Sequence, residues 1–240
     1  ASLGHTIVRP RPALVPLAVR ERGLARSLEG VSLRNVRAAA FRGEAATLDP
    51  SLVPARDYGR GIDKKPRAPL LESRFGEMQF TRFGLGGPII LLLSLAVVDA
   101  LDSGPVSVLI DLKPAVAREQ LSRRLQADLN ASGKRHLATL LKDYVPARMV
   151  DPLSALSGLE GALPAHRVDA AGRERLIGTL KALRFNVEAP LPLARAIVTA
   201  GGVALDEIDP RTMASRKLPG LYFCREVMDI DADTGGYNLQ

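Results

Sequence analysis

Residues 199–240 read TAGGVALDEIDPRTMASRKLPGLYFCREVMDIDADTGGYNLQ, and the reading of this chain starts from them. An apolar run, Ala196-Ile197-Val198, leads into a small-residue turn, Thr199-Ala200-Gly201-Gly202. The turn signal Pro219-Gly220 precedes a second apolar strand, Leu221-Tyr222-Phe223, which ends in charge at Arg225, Glu226, Asp229, Asp231 and Asp233. The Thr234-Gly235-Gly236 triplet follows. A strand ending in a carboxylate, with a glycine pair soon after, suits a ligand that carries hydroxyls and phosphates. Carboxylates accept hydrogen bonds from hydroxyls, and glycines let backbone N–H groups approach an anion.

Outward from that run, composition sets the limits. The 240 residues suffice for one large domain or two small ones. With 46% hydrophobic and 25% charged residues, the composition is that of an ordinary globular chain, and with 4% aromatics the core must be built from Leu, Val, Ile and Ala. The single cysteine, Cys224, excludes an internal disulfide and fits a reducing cytoplasm. At the end of an apolar strand it reads as a small core residue. The longest apolar run, Pro88 to Val98, ends at Asp99, short of the ~20 residues that span a bilayer, and reads as a buried helix. No membrane partner is expected.

Net charge is +7, concentrated towards the front. Residues 1–75 carry 14 Lys and Arg against 7 Asp and Glu, residues 76–200 carry 15 against 12, and residues 201–240 carry 4 against 7. The arginines of the front stretch stand singly with few aromatics between them, which describes a solvated surface better than a base-stacking one.

Along the chain, Leu3-Gly4 reads as a capped helix end and Thr6 as the start of a strand. Pro10, Pro12 and Pro16 place the extended Ala13–Val19 segment at a sheet edge. Residues 31–41 alternate as a strand, and 42–68 form a long loop rich in Gly, Pro and basic residues. Leu70–Arg74, Phe75-Gly76 and Glu77–Thr81 read as a hairpin. The glycines of Phe83-Gly84-Leu85-Gly86-Gly87 then enter the apolar helix with Pro88 in its first turn, serving equally as a pocket wall or as a tight entry to the core. Val106–Ile110 is a strand. Leu121, Leu125 and Leu129, then Leu137, Leu140 and Leu141, then Val150, Leu153, Leu156 and Leu159, then Leu176, Ile177, Leu180 and Leu183 mark four helices. Their Arg123, Arg124, Lys134, Lys142, Arg173 and Lys181 are expected in solvent. Phe185–Ala189 returns to strand.

Hydrolytic and metal chemistry find no support. His5, His136 and His166 are far apart in sequence without partners at ligand spacing, and the acidic cluster 226–233 lacks the Gly and closing Glu of a calcium loop. No metal site is expected, and no catalytic residue can be named.

The run from Thr199 to Gln240 resembles the C-terminal signature of the BaiN-like (aminoacetone-oxidase-like) family of NAD(P)/FAD-dependent oxidoreductases. Leu3–Val8 with Pro12–Leu17, and Phe80–Pro88, fit the same family in the same order. The resemblance implies an α+β multi-domain fold. A β-rich, barrel-like, mostly antiparallel insert domain (1–113 and 185–198) would carry a small helical insert (114–184). Residues 199–240 would be the C-terminal strands of a Rossmann-like FAD domain. The G-x-G-x-x-G turn that opens the family is missing, so the chain reads as a fragment whose partner is the N-terminal FAD-binding half. It implies FAD in the parent protein, NAD(P)H as electron donor, and hydride transfer with a small organic substrate. Glu226 or Asp229 would bond ribityl or ribose hydroxyls. Thr234, Gly235, Gly236, Tyr237 and Asn238 would place N–H groups near the pyrophosphate and the flavin, with Thr199, Gly201 and Gly202 approaching from the other side.

The sequence departs from the family where Cys224 and Arg225 replace Ala-Gly, where Ala232 replaces Gly, and where Arg82 and Gly86 replace His and Ser. A positive φ at Arg225 would cost on the order of 1–3 kcal/mol. Alone, this chain is expected to hold no FAD and to be inactive. The alternative is a non-enzymatic interaction or nucleic-acid-binding module on a degenerate flavoprotein scaffold. Arg225, Arg82 and the basic front favour it, and the intact residues 234–240 oppose it. Nucleic acid is not the expected partner.

Overall fold

A computed structural model of the chain describes residues 3–60, 62 and 65–232. It is an α+β fold in which two strand systems meet on one helix. The strands are β1 (Ile7–Ala13), β2 (Leu17–Val19), β3 (Ser32–Arg42), β4 (Leu70–Thr81), β5 (Gly84–Gly86), β6 (Val106–Asp111), β7 (Leu183–Pro190) and β8 (Val198–Val203). The helices are α1 (Arg22–Ser27), α2 (Pro88–Leu101), α3 (Arg118–Ser132), α4 (Leu137–Leu141), α5 (Ala147–Leu156) and α6 (Ala170–Lys181). Six strands close an antiparallel barrel in the order β2-β5-β4-β3-β6-β7, and β1 pairs with β8 in a separate ribbon. Three-residue β2 completes the barrel, with Leu17 opposite both Leu85 and Pro190. The edge position expected for Ala13–Val19 therefore holds for the ribbon strand alone, because β2 is paired on both sides.

Helix α2 is apolar all round because it is buried on two sides. Ile89, Ile90, Leu93 and Val97 belong to the barrel's core with Phe80, Phe185 and Leu85, while Leu91, Leu92 and Leu95 pack under Ala13, Leu14, Val198 and Ala200 of the ribbon. The helix touches five of the six barrel strands, so it lies across one end of the barrel. Gly87, at φ 83°, caps it, and an added Cβ there would sit 2.7 Å from the Gln79 nitrogen. Only glycine allows that approach.

The hairpin expected over 70–81 is one uninterrupted strand. Gly76 pairs with Val36, and the irregularity falls on the partner, where the register shifts between Leu33 and Val36 and Asn35 takes φ 55°. The glycine is there because Ile89 of α2 crosses it: a Cβ would meet the Ile89 Cγ2 at 2.8 Å. Within 42–68, short 3-10 turns form at Ala45–Thr47 and Pro50–Leu52. Leu3 lies in a turn, and β1 begins at Ile7.

The four helices α3–α6 stand between β6 and β7, and their core is continuous with the barrel's. Leu159 and Leu183 fall outside α5 and α6. The expectation that Lys181 is solvated is wrong. Its side chain is 15% exposed and lies 2.5 Å from Asp111, itself 8% exposed. Its ammonium also donates to the carbonyls of Lys113 and Val116, at 3.0 and 2.9 Å, so one lysine ties the entry of the helical unit to its exit. Arg173 is likewise half-buried, with a buried Nε that has no partner among the described residues.

Burial raises the Asp111 carboxyl above its ordinary range, with Lys181 opposing the shift. Replacing Lys181 by Met strands that carboxylate and should lower stability by about 3 kcal/mol in denaturant titrations. Adding Asp111→Asn should restore most of the loss. Because the folded-state pKa is raised, the penalty in Lys181→Met should be full above it and shrink as pH falls through it.

Candidate functional site

The site is organised by β8. The small residues 199–202, expected as a turn, are the strand itself, and their size is what brings three chain segments together. An added Cβ at Gly201 would lie 2.4 Å from the Arg9 carbonyl of β1, and one at Gly202 would lie 2.5 Å from the Val227 carbonyl. Residues 225–229 therefore run beside β8 on the side away from β1, with Val203 bridged in parallel to Met228 and the Asp229 N–H donating to the Val203 carbonyl at 2.9 Å.

Along this line the two predicted carboxylates face the strand. Glu226 Oε2 accepts from the Thr199 N–H at 3.2 Å, and Asp229 Oδ1 accepts from the Gly201 N–H at 3.1 Å. Thr199, Gly201, Gly202, Glu226 and Asp229 thus form one cluster. Thr234, Gly235, Gly236, Tyr237 and Asn238 lie outside the described residues. Leu221-Tyr222-Phe223 is not a strand: Tyr222 makes only an isolated bridge to Ala214 and is 66% exposed. Cys224 is exposed rather than a core residue.

The segment between β8 and the carboxylates is pinned back onto the start of the chain. His5 meets Ser215 at 2.8 Å and Phe223 edge-on at 5.1 Å. The Ser215 hydroxyl oxygen accepts from the N–H groups of Lys217 and Leu218, so its own proton is directed at His5. Glu207 accepts from the Thr6 N–H at 2.9 Å and pairs with Lys217 at 2.5 Å.

Beside the cluster, a cleft of about 480 Å³ opens between ribbon and barrel. Leu14, Leu92 and Leu95 supply an apolar wall, and Arg60, Asp99 and Asp231 a charged rim. Arg60 is ion-paired with Asp231, and Arg11 holds Asp99 at 2.5 Å, so each side of the cleft has an Arg–Asp tie. Buried Glu72 and Arg74 pair at 2.5 Å beneath the Arg60 backbone, whose carbonyl accepts from Arg74 at 2.7 Å. Sequence reasoning missed these groups, although a carboxylate closing a wholly apolar helix, as Asp99 does, was a usable signal. A mostly apolar concavity with a few convergent polar groups is the form of a small-molecule site. Among the described residues no three metal-ligating side chains gather, and no helix is long and apolar enough to cross a membrane.

A closed antiparallel barrel carrying four helices between two of its strands, with a carboxylate-lined ribbon packed on its capping helix, defines the class. Residues 67–198 match the family described as "HI0933-like protein barrel and H2TH domain", and the chain belongs to that family. The expected BaiN-like kinship agrees with this. The chain is 29% identical over 240 residues to the 3-dehydro-bile acid delta(4,6)-reductase of Clostridium scindens, covering all of this chain and 52% of the relative. It is 35% identical over 161 residues to the ribosomal RNA dihydrouridine synthase of Escherichia coli, covering 67% of this chain and 38% of the relative. With the enzyme of that name from Haemophilus influenzae it shares 26% identity over 238 residues, 99% of this chain and 50% of the relative. The chain spans about half the length of the curated relatives it matches, or less.

Arg225 takes φ 57°, a left-handed conformation that strains any side chain. Arg225→Gly should relieve about 1 kcal/mol and raise the melting temperature. An unchanged or lower value would show that the arginine side chain compensates. The Lys217 ammonium and the Thr6 N–H together lower the Glu207 pKa to about 2. Its contribution to stability should be complete above the unfolded carboxylate range near pH 4.5, decline below that, and be lost as pH falls through about 2. Glu207→Gln should therefore lower the melting temperature at pH 7 by more than it does at pH 2.

Proposed function

We propose that this chain is part of a flavin-dependent oxidoreductase that adds hydrogen to an unsaturated substrate held in the cleft between ribbon and barrel. The observation that carries the reading is the kinship itself. One relative is named for reducing a bile acid and two for making dihydrouridine, so each name describes a reduction.

The described residues fit FAD through their carboxylates. Glu226 and Asp229 each give one oxygen to a β8 N–H, are partly exposed, and keep lone pairs for ribityl or ribose hydroxyls. Gly201 serves the approach of β1, and Gly202 lets the segment that carries both carboxylates lie against β8. FAD, reduced by NAD(P)H, would supply a hydride to one carbon of the double bond, and a proton to the other would complete the addition. The pyrophosphate-binding turn would come from a further part of the protein. The apolar wall formed by α2 would orient the substrate and keep water from it.

Two substrate classes remain, a small organic molecule and a base in RNA. Against the sequence expectation that nucleic acid is not the partner, the 35% identity to a ribosomal RNA enzyme favours RNA.

The full-length protein should purify with bound flavin that NADPH bleaches under anaerobic conditions. Asp229→Asn and Glu226→Gln keep an acceptor for the β8 amides but remove the charge, and should weaken flavin binding about tenfold each. A colourless full-length protein that takes up no added FAD would end the flavin reading.

A further inference from the structure

We infer that two clasped loops of the helical unit form a binding surface for the phosphate backbone of RNA. The first loop joins α3 to α4 and carries Lys134, Arg135 and His136. The second lies between α5 and α6 and carries His166 and Arg167. They are some thirty residues apart in sequence, yet their backbones lie side by side. Ala165 N–H donates to the Arg135 carbonyl at 2.8 Å, Leu137 N–H to the Leu163 carbonyl at 2.8 Å, and His166 N–H to the Gly133 carbonyl at 3.2 Å. His136 is bridged to Pro164, and the same Gly133 carbonyl accepts from the His166 ring Nδ1 at 2.7 Å, which fixes the imidazole. Gly133, at φ 53°, makes the turn that brings its carbonyl into this position.

All five basic side chains are exposed, and none is ion-paired among the described residues. Of the nearby carboxylates, Asp128 is held by the Tyr144 hydroxyl at 2.5 Å and Arg124 at 3.8 Å, Asp169 accepts from the Gly172 N–H at 2.7 Å, and exposed Glu160 stands at the far end of the second loop from His166 and Arg167. Elsewhere on the molecule, exposed arginines such as Arg20, Arg22 and Arg118 are matched by Glu44, Glu188 and Glu174. Exposed cations without ion pairs on a clasped double loop suit a repeating anion, because each phosphate neutralised releases counterions. The loops belong to the helical unit and contribute nothing to the cleft, so a small substrate in the cleft would make no use of them. A long polyanion could engage both.

This surface rests on the reading that the enzyme's substrate is a base in RNA. The test is fluorescence anisotropy of the full-length protein with labelled, transcribed ribosomal RNA across a salt series. Removing Lys134, Arg135 and Arg167 together by alanine substitution should weaken binding at least tenfold. It should also make the plot of log affinity against log salt shallower by about 2–3. Exchanging Lys for Arg and Arg for Lys at the same three positions should preserve both. Alanine at three other exposed cations, Arg26, Arg195 and Arg211, should change affinity less than threefold. The inference is overturned if the loop variant binds like wild type, if the distant variant loses as much, or if duplex DNA or phosphatidylserine vesicles bind as tightly as the RNA. Reduced bases in the RNA are scored separately. RNA binding through this surface with no base reduction would sink the reductase reading and leave the surface standing, and base reduction by the loop variant at wild-type affinity would do the reverse.

Discussion

Burial of α2 on both sides is the constraint from which the rest of the architecture follows. A helix with no polar face cannot lie on a surface, so each side needs its own cover. The barrel covers one side with Phe80, Phe185 and Leu85, and the ribbon covers the other with Ala13, Leu14, Val198 and Ala200. Each fully buried Ile, Leu or Val contributes roughly 2 kcal/mol, whereas an exposed ion pair such as Arg9 with Asp102 contributes at most about 1. Apolar burial on α2, rather than the many Arg–Asp pairs around it, therefore holds ribbon to barrel. A two-stranded ribbon is marginal by itself, so β1 and β8 depend on this helix for their existence.

The same helix explains why the cleft is where it is. The chain crosses between ribbon and barrel twice, at residues 14–16 and 191–197, and both crossings are hydrogen-bonded. Val15 N–H reaches the Ser94 hydroxyl of α2 at 3.2 Å, Leu191 N–H reaches the Pro16 carbonyl at 2.9 Å, and Ile197 N–H reaches the Leu14 carbonyl at 3.2 Å. With ribbon and barrel joined along one seam, the ribbon's other flank stands away from β4. The gap is the cleft, with α2 as its apolar wall and the Arg11–Asp99 and Arg60–Asp231 ties at its rim.

What the sequence made legible was whatever depends on apolar spacing. The run from Pro88, the four-residue leucine repeats of α3 to α6, and strands β3, β6 and β7 all read correctly because burial selects their side chains directly. Strand β4 did not, because Phe75-Gly76 carries a turn's chemistry while serving a helix crossing. Strand β8 did not either. Thr-Ala-Gly-Gly has little strand propensity, and its extended form comes from pairing with β1 on one side and from Glu226 and Asp229 on the other. Lys181 looked solvated because its partner, Asp111, lies seventy residues away.

Close approach, rather than cofactor contact, is the structural explanation of the ribbon's glycines, and this changes how the carboxylates should be understood. Had Gly202 carried a side chain, residues 225–229 could not lie against β8 to hold Glu226 and Asp229 at its edge, and had Gly201 carried one, β1 could not lie against the other edge. Gly202 acts through the carboxylates it positions. Arg225 sits at the entrance to this segment in a left-handed conformation, turning the chain so that the very next residue, Glu226, reaches the Thr199 N–H. The strain at Arg225 and the absent side chain at Gly202 thus serve a single end, which is to hold two acids along the β8 edge.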